Sequence, residues 1–213
     1  MKFSNLVFVA LATLIVGACS NVSRSRNLGN PDVAGKTLAQ QVCSNCHGLN
    51  GVATSPNVPN LAAQQKTYLV AQLTEFRDHS RRDPFAVRYM WGISRSLTDK
   101  QIAELAEYYA AQKPASPPTV AADEQAAAGR AIFTQGLADK GVPACSSCHG
   151  RDGSGNATFP RLAGQHSDYL VKQLANLGTT DDRPGSQVMK PVASKLRPAE
   201  IESVAKYLQA MTE

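Results

Sequence analysis

Aromatic residues are scarce in this sequence. Its 213 residues include one tryptophan, and aromatics make up 6% of the total, against 43% for hydrophobic residues as a whole. The hydrophobic share is that of a globular protein, which argues against a disordered chain. A small domain with so few large rings needs something else to fill its core, and a large flat cofactor would do so.

Charge is also limited, and no basic run is present. Charged residues make up 18% of the sequence, with 22 Lys and Arg against 17 Asp and Glu, a formal net charge of +5. This mild excess does not indicate a nucleic-acid partner, and it favours an acidic docking partner only weakly. The length suits one ordinary domain or two small ones.

The apolar segment near the N-terminus is too short to span a bilayer comfortably. It covers residues 6–16, follows the positively charged Lys2 and precedes small residues that end at Ala18. This order is typical of a signal peptide, which we assign to residues 1–18. We therefore expect an exported protein that works in the periplasm.

The residue that follows the predicted cleavage point is Cys19. Val-Gly-Ala-Cys resembles a bacterial lipobox, which predicts that Cys19 is lipidated and begins a flexible tether over residues 19–27. Ordinary cleavage after Ala18, which would leave a free thiol, is the alternative. A lipid on Cys19 would anchor the protein to a membrane surface without crossing it.

The other four cysteines form two C-x-x-C-H motifs, CSNCHG at residues 43–48 and CSSCHG at residues 145–150. Two disulfides would use four cysteines but would not explain the histidine after each pair. A thioredoxin-like pair does not require that histidine either, and direct Cys-His adjacency is unusual for zinc. Covalent c-type haem attachment requires all three residues. The motifs therefore predict two covalently bound haem c groups, with disulfides or metal thiolates as the alternatives.

Each motif assigns its three residues a role. Two thiols three positions apart on a helical turn can reach the two vinyl groups of one porphyrin, and the next residue projects its imidazole at the iron. The predicted attachment residues are Cys43, Cys46, Cys145 and Cys148, and the predicted proximal iron ligands are His47 and His149.

The similarity between the two halves extends well beyond these motifs. PNLAAQQKTYLVAQL, residues 59–73, matches PRLAGQHSDYLVKQL, residues 160–174, at nine of fifteen positions without a gap. Prolines between the copies disfavour helix and stiffen the chain, so residues 113–118 read as a linker. We predict one domain over residues 28–112 and a second over residues 119–213.

Both copies are predicted to be all-helical, because no segment alternates as a half-buried strand does. Thr98 and Gln101 form a capping box at the start of one helix, and Pro198 lies near the first turn of its counterpart. Gly35 and Gly129 occupy matching places ahead of the two haem motifs. The apolar faces are Leu69, Leu73 and Phe76; Leu170, Leu174 and Leu177; Ile102, Leu105, Ala106 and Tyr109; and Ile201, Val204, Ala205 and Leu208.

The sixth position of each iron is assigned to a methionine. Met90 and Met189 lie 43 and 40 residues after the motif histidines, and each precedes the leucine that opens the last helical segment by seven residues. Methionine commonly fills gaps in cores, but this matched placement favours ligation. Met211 lies in the terminal helix and is assigned to the core or to a frayed end.

Two other histidines are candidate iron ligands. His79 could compete with Met90, but charged neighbours that include Arg81 and Asp83 predict a solvated loop around it. His166 has no histidine counterpart in the first copy, so both are predicted to be surface residues.

A proximal histidine needs a bond on its other ring nitrogen to fix its orientation. The carbonyls of Pro59 and Pro160, 12 and 11 residues after the motif histidines, are the candidates. Proline also shapes the turn at these places, and that role is compatible with the carbonyl role.

These motifs together resemble the dihaem cytochrome c4 family. The likeness rests on two C-x-x-C-H-G motifs, P-x-L-A-G-Q at residues 160–165, two Y-L-x-x-Q-L segments, and a methionine ahead of the final helix of each copy. The first copy departs from the pattern with Ala63 in place of glycine. The resemblance covers nearly the whole mature chain. It implies two tandem cytochrome c-type helical domains, each around one haem, related by pseudo-twofold symmetry with the haem edges close at the interface.

The resemblance also implies a function. Such proteins pass single electrons in the periplasm, here from a quinol-oxidising complex or dehydrogenase to a terminal oxidase of a respiratory chain. His/Met ligation closes both axial positions, which suits an electron carrier and leaves no room for a substrate. The alternatives are the dihaem subunit of a flavoprotein dehydrogenase and a dihaem peroxidase. A peroxidase would need an open iron position, and the chain is short for that family.

Overall fold

The structure, a computed structural model, describes residues 24–118 and 123–211. The predicted signal peptide and Cys19 lie outside these ranges. In the part of the chain that is described, no helix is both long and apolar enough to cross a bilayer.

The first half of the chain is helical. A nearly continuous helical segment carries the first haem motif, and the predicted ligand Met90 ends a π-helical turn. The elements are α1 (Gly35–Leu38), a π-turn (Ala39–Cys43), α2 (Ser44–His47), α3 (Lys66–Arg77), a π-turn (Ala86–Met90), α4 (Trp91–Ser94) and α5 (Asp99–Ala110).

The second half repeats this order with 3₁₀ turns in place of the π-turns. Over residues 24–118 and 123–211 there is no β-strand, only two isolated bridges, so the prediction of an all-α fold is confirmed. The elements are α6 (Glu124–Gln135), a 3₁₀ turn (Ala138–Lys140), α7 (Ser146–His149), α8 (Ser167–Thr179), a 3₁₀ turn (Pro184–Ser186), α9 (Lys190–Ala193) and α10 (Pro198–Ala210).

The last helix of each half forms the centre of its core. α5 packs against α1 and α3, and α10 packs against α6 and α8. The predicted capping box is present: the Thr98 hydroxyl accepts from the Gln101 backbone, and the Gln101 side chain accepts from the Thr98 backbone. The predicted apolar faces of α5 and α10 are buried throughout. The two clusters are Leu38, Ala39, Leu69, Leu97, Ile102, Leu105, Ala106 and Tyr109; and Ile132, Phe133, Leu170, Val204, Ala205 and Leu208.

The matched glycines mark two close helix crossings. A Cβ on Gly35 would overlap the backbone of α5, and a Cβ on Gly129 would overlap the Ser203 carbonyl on α10. Only glycine lets the helices approach this closely, so the same helix pair crosses in the same way in both halves.

The two halves meet through reciprocal hydrogen bonds. Gln65 Nε2 donates to the Ser154 carbonyl at 2.8 Å, and at the matching place His166 Nε2 donates to the Ala53 carbonyl at 2.9 Å. The prediction that His166 is a surface residue is therefore wrong: it is half-buried, because the first domain covers it and supplies an acceptor.

The prediction of a solvated loop after α3 is also wrong in part. His79 is exposed as predicted, but Arg81 and Asp83 are only 4% and 2% exposed. The second domain covers this loop, and Arg81 Nη2 reaches Gln173 Oε1 on α8 at 3.1 Å. The loop belongs to the domain interface.

Candidate functional site

Each motif histidine ends a short helix directly after the cysteine pair. His47 is the last residue of α2 and His149 is the last residue of α7, and both are buried. The residues that follow, Gly48 and Gly150, have φ of +74° and +84°. Glycine adopts this left-handed region readily, so the chain leaves the helix sharply at the same point in both domains.

The Nδ1 atom of each motif histidine is bonded to a proline carbonyl. His47 Nδ1 lies 2.9 Å from the Pro59 oxygen, and His149 Nδ1 lies 2.9 Å from the Pro160 oxygen. A carbonyl oxygen only accepts, so Nδ1 carries the proton and Nε2 keeps its lone pair. These are the two carbonyls that the sequence suggested.

Burial disfavours the charged form of both imidazoles. It lowers the pKa of His47 and of His149 below the ordinary value, and the hydrogen bonds to the proline carbonyls offset this only in part. A neutral imidazole with a fixed tautomer is the form that binds a metal ion.

The four motif cysteines are free thiols, which does not support the disulfide alternative. Cys43 and Cys145 are half-buried, and burial raises the pKa of each thiol to about 11. Cys46 and Cys148 are exposed. Within the described residues no group of three or more His, Cys, Asp or Glu side chains could hold a metal ion.

The motif residues fit a covalently held haem. Each domain presents two thiols at the start and end of one helical turn, followed at once by an imidazole whose Nε2 is available. This is the donor set that thioether attachment and proximal ligation require. The fit is the same in both domains, down to the length of the bond that orients each histidine.

The two predicted methionine ligands occupy equivalent places. Met90 and Met189 are each the N-cap residue of a short helix, α4 and α9 respectively, and both are half-buried. The Ser94 hydroxyl donates to the Met90 carbonyl at 2.7 Å, and the Ala193 N–H donates to the Met189 carbonyl at 2.8 Å. The match agrees with a shared role, and ligation itself stays a prediction.

The competing histidine, His79, lies against an aromatic ring. Its imidazole packs against Trp91 at 4.9 Å between ring centroids, and the Arg95 guanidinium lies over the same tryptophan at 5.4 Å. Trp91 directly follows Met90. The exposed His79 therefore belongs to a surface stack beside the predicted ligand.

The loops that orient the histidines also join the domains. Gln165 bonds to both backbone groups of Asn60, which follows Pro59, and Gln64 bonds to both backbone groups of Arg161, which follows Pro160. Neither glutamine was predicted to have a role from the sequence. The signal was present, because the glutamine of P-x-L-A-x-Q is the same in both copies.

Comparison with known proteins gives consistent matches. The profile of the Cytochrome c family matches residues 33–112 and again residues 126–212. Cytochrome c-552 of Acidithiobacillus ferridurans is 38% identical over 210 residues, which cover 97% of this chain and 86% of the relative. The thiosulfate dehydrogenase electron acceptor of Thiomonas intermedia is 33% identical over 173 residues, 79% of this chain and 77% of the relative.

A solved structure has the same arrangement. The structure of Acidithiobacillus ferrooxidans cytochrome c4 superposes with a TM-score of 0.73 at 39% sequence identity, and the match covers 79% of this chain and 98% of that one.

Proposed function

The chain belongs to the cytochrome c family, in its dihaem cytochrome c4 group, and on this premise we propose that it carries single electrons between redox proteins of the periplasm. It is an electron carrier with two covalently bound c-type haems, one for each domain. The proposed acceptor is a terminal oxidase of a respiratory chain.

The observation that carries this proposal is the pair of oriented histidines. Two buried imidazoles, each directly after a cysteine pair, donate through Nδ1 to a proline carbonyl at the same distance of 2.9 Å. A structural histidine would not need a matched cysteine pair beside it. Two such sites in one chain support a protein that holds two electrons or passes one electron from site to site.

The proposed roles follow the sequence prediction. Each bound haem supplies an iron that accepts and returns one electron. Cys43 and Cys46 would hold the first through thioethers, and His47 and Met90 would be its two iron ligands. In the second domain the corresponding residues are Cys145, Cys148, His149 and Met189.

The protein's own residues favour electron transfer over bond chemistry. The Pro59 and Pro160 carbonyls fix the imidazole planes, so little reorganisation accompanies a change of charge at the metal. Met90 and Met189, as the proposed second ligands, would leave no coordination position open to a substrate. Methionine ligation also raises the reduction potential.

Export is part of the proposal. The N-terminal segment has the charge and apolar length of a signal peptide, and Cys19 follows a lipobox-like sequence. We propose that the mature protein is held at the periplasmic face of a membrane through a lipid on Cys19. Mass spectrometry of the mature N-terminus distinguishes lipidation from simple cleavage after Ala18.

A second candidate function is supported by one comparison. A relative that is 33% identical is named as the electron acceptor of a thiosulfate dehydrogenase. A dehydrogenase that feeds this chain is therefore an alternative upstream partner. Copurification of the mature protein with a dehydrogenase would favour this alternative over a quinol-oxidising complex.

A spectroelectrochemical titration of the mature protein tests the main proposal. We expect two haem c per chain, the Met-sulfur-to-ferric-iron absorption band, and two one-electron steps at potentials typical of His/Met ligation. A peroxide turnover assay on the same sample provides the counter-test. Substantial peroxidase activity, or an open coordination position in the oxidised protein, would overturn the electron-carrier proposal.

A further inference from the structure

Residues 24–36, called here the N-terminal segment, are bound to the first domain at both ends. Ser25 Oγ donates to Gln41 Oε1 at 2.5 Å. Gln101 Nε2, on α5, donates to the Val33 carbonyl at 2.9 Å. The chain is therefore held against the first domain from Ser25 onwards.

The N-terminal segment joins the first domain beside its haem motif. Gln41, the partner of Ser25, lies in the π-turn that ends at Cys43. The predicted lipid site, Cys19, is six residues before Ser25. An extended chain spans at most about 3.5 Å for each residue, so a lipid on Cys19 would hold Ser25 within about 20 Å of the membrane. The second domain has no such tie, because it follows the first through the predicted linker.

The N-terminal segment is basic, and its basic side chains are exposed. Arg24, Arg26 and Lys36 are exposed and form no ion pair with any residue that the structure describes. The one acidic residue of the segment is Asp32, so its net charge is +2. Exposed cations near a membrane are attracted to anionic headgroups, and each additional cation strengthens the binding.

The matching segment of the second domain has the opposite charge. Gly129 matches Gly35, so residues 118–130 match the N-terminal segment; they include two acidic residues and one basic residue, a net charge of −1. The acidic Asp123 also pairs with Lys206 of its own domain. The basic surface is thus specific to the domain that carries the predicted tether.

We propose that the N-terminal segment docks on anionic lipid headgroups, so that the first domain lies nearer the membrane than the second. This inference rests on the proposed function, because it uses the export and the lipid anchor proposed above. Lipid is the occupant because the tether is short and the unpaired charge of the segment is positive. The first haem would then exchange electrons with a membrane-bound partner, and the second with a partner in the periplasm.

Vesicle binding tests the surface apart from the anchor. The holoprotein is produced behind an ordinary signal peptide with Cys19→Ser, so it carries no lipid. In a sedimentation assay it should bind vesicles of equal parts phosphatidylglycerol and phosphatidylcholine, and bind pure phosphatidylcholine far less. Added salt should weaken this binding, because salt screens exposed charges.

Two double variants with equal charge loss locate the binding surface. Arg24→Gln with Arg26→Gln should weaken binding to the phosphatidylglycerol vesicles by about tenfold or more. Arg130→Gln with Arg151→Gln removes the same charge from exposed positions of the second domain and should bind as the parent does. An equal loss in both double variants would indicate attraction to the overall charge of the protein and would overturn the proposal.

Hydrogen–deuterium exchange tests which domain faces the membrane. On vesicles, the amides of residues 24–36 should exchange more slowly than in the free protein, and those of residues 123–130 should not change. The lipidated protein should give the same pattern. Protection of the second domain alone, or of neither segment, would overturn the proposal.

An acidic surface of a membrane protein is the competing occupant. It would leave the parent protein unbound by vesicles that contain lipid alone, and that result would also overturn the proposal. Haem content and the two reduction potentials are measured on every variant. Loss of vesicle binding with both haems and both potentials unchanged separates this surface from electron transfer, whereas missing haem would be a failure of the proposed function.

Discussion

The side chain of Gln165 hydrogen-bonds to both backbone groups of Asn60. Gln165 Oε1 accepts from the Asn60 N–H at 2.9 Å, and Gln165 Nε2 donates to the Asn60 carbonyl at 2.9 Å. Asn60 directly follows Pro59, whose carbonyl orients His47. One loop of the first domain therefore orients His47 through the Pro59 carbonyl and also binds the second domain through the backbone of Asn60.

Replacing Gln165 with leucine should destabilise the folded protein. Gln165→Leu leaves the N–H and the carbonyl of Asn60 buried without partners, which should cost about 2 kcal/mol or more of unfolding free energy. Guanidinium denaturation of the holoprotein measures this loss. The control Gln135→Leu changes an exposed glutamine at the end of α6 and should stay near the wild-type value. Equal stability of the two variants would contradict the role given to Gln165.

The methionine ligands can be tested one at a time. Met90→Ala and Met189→Ala should each remove about half of the Met-sulfur-to-ferric-iron absorption band, because each domain contributes one such bond. The matched control is Met211→Ala, since Met211 packs against the core of the second domain. An intact band in Met90→Ala, together with loss of the six-coordinate low-spin spectrum of one haem in His79→Ala, would transfer the ligand role to His79.

The glycines after the two histidines should tolerate alanine unequally. Both have positive φ with ψ of 156° and 152°, a region that is essentially restricted to glycine and costs any other residue on the order of 1–3 kcal/mol. A Cβ on Gly48 would also overlap the Val52 backbone, whereas a Cβ on Gly150 would lie 3.0 Å from the mobile end of the Asp152 side chain. Gly48→Ala should therefore lose more unfolding free energy than Gly150→Ala in the holoprotein. The reverse order would show that backbone overlap does not decide the cost.

Glu200 should make the second domain sensitive to acid. Burial alone would raise the pKa of this carboxyl, but Arg197 and Lys140 lower the pKa to about 2. Because the pKa is depressed in the folded state, the stabilisation is present above the unfolded pKa of roughly 4.3 and is lost as pH falls towards 2.

Glu200→Gln should consequently lose about 1 kcal/mol of unfolding free energy at neutral pH. The gap between variant and wild type should close as the pH is lowered through that window. Glu202→Gln, an exposed change on the same helix, serves as the control. A gap that stays constant down to pH 2 would show that charge at Glu200 is not its source.

The parts of the fold set by local chemistry were predictable from the sequence. The apolar faces of α5 and α10 and the Thr98–Gln101 capping box depend on residues a few positions apart, and the structure confirms them. The carbonyls of Pro59 and Pro160 were predicted partners because a proximal histidine needs an acceptor for its second ring nitrogen and a proline follows each histidine within 12 residues. Ligation by Met90 and Met189 stays a prediction.

The domain interface was not predictable in the same way. Arg81 and Asp83 look solvated in sequence because charged neighbours surround them, but a second domain can bury a charged loop if it supplies partners. His166 was wrongly predicted to lie at the surface, because its partner, the Ala53 carbonyl, belongs to the other domain. The signal lay in the glutamines that recur in both copies, such as Gln72 and Gln173, whose polar side chains interrupt otherwise apolar helix faces.

The predicted linker, residues 113–118, would have a thermodynamic consequence for this polar interface. Each amide hydrogen bond adds little net free energy, and two separate chains would also lose translational and rotational freedom on association. Tethering replaces that association with an intramolecular one, at an effective concentration that for short linkers reaches the millimolar range. A protease cut within the linker would therefore convert one two-electron molecule into two one-electron fragments that separate on dilution.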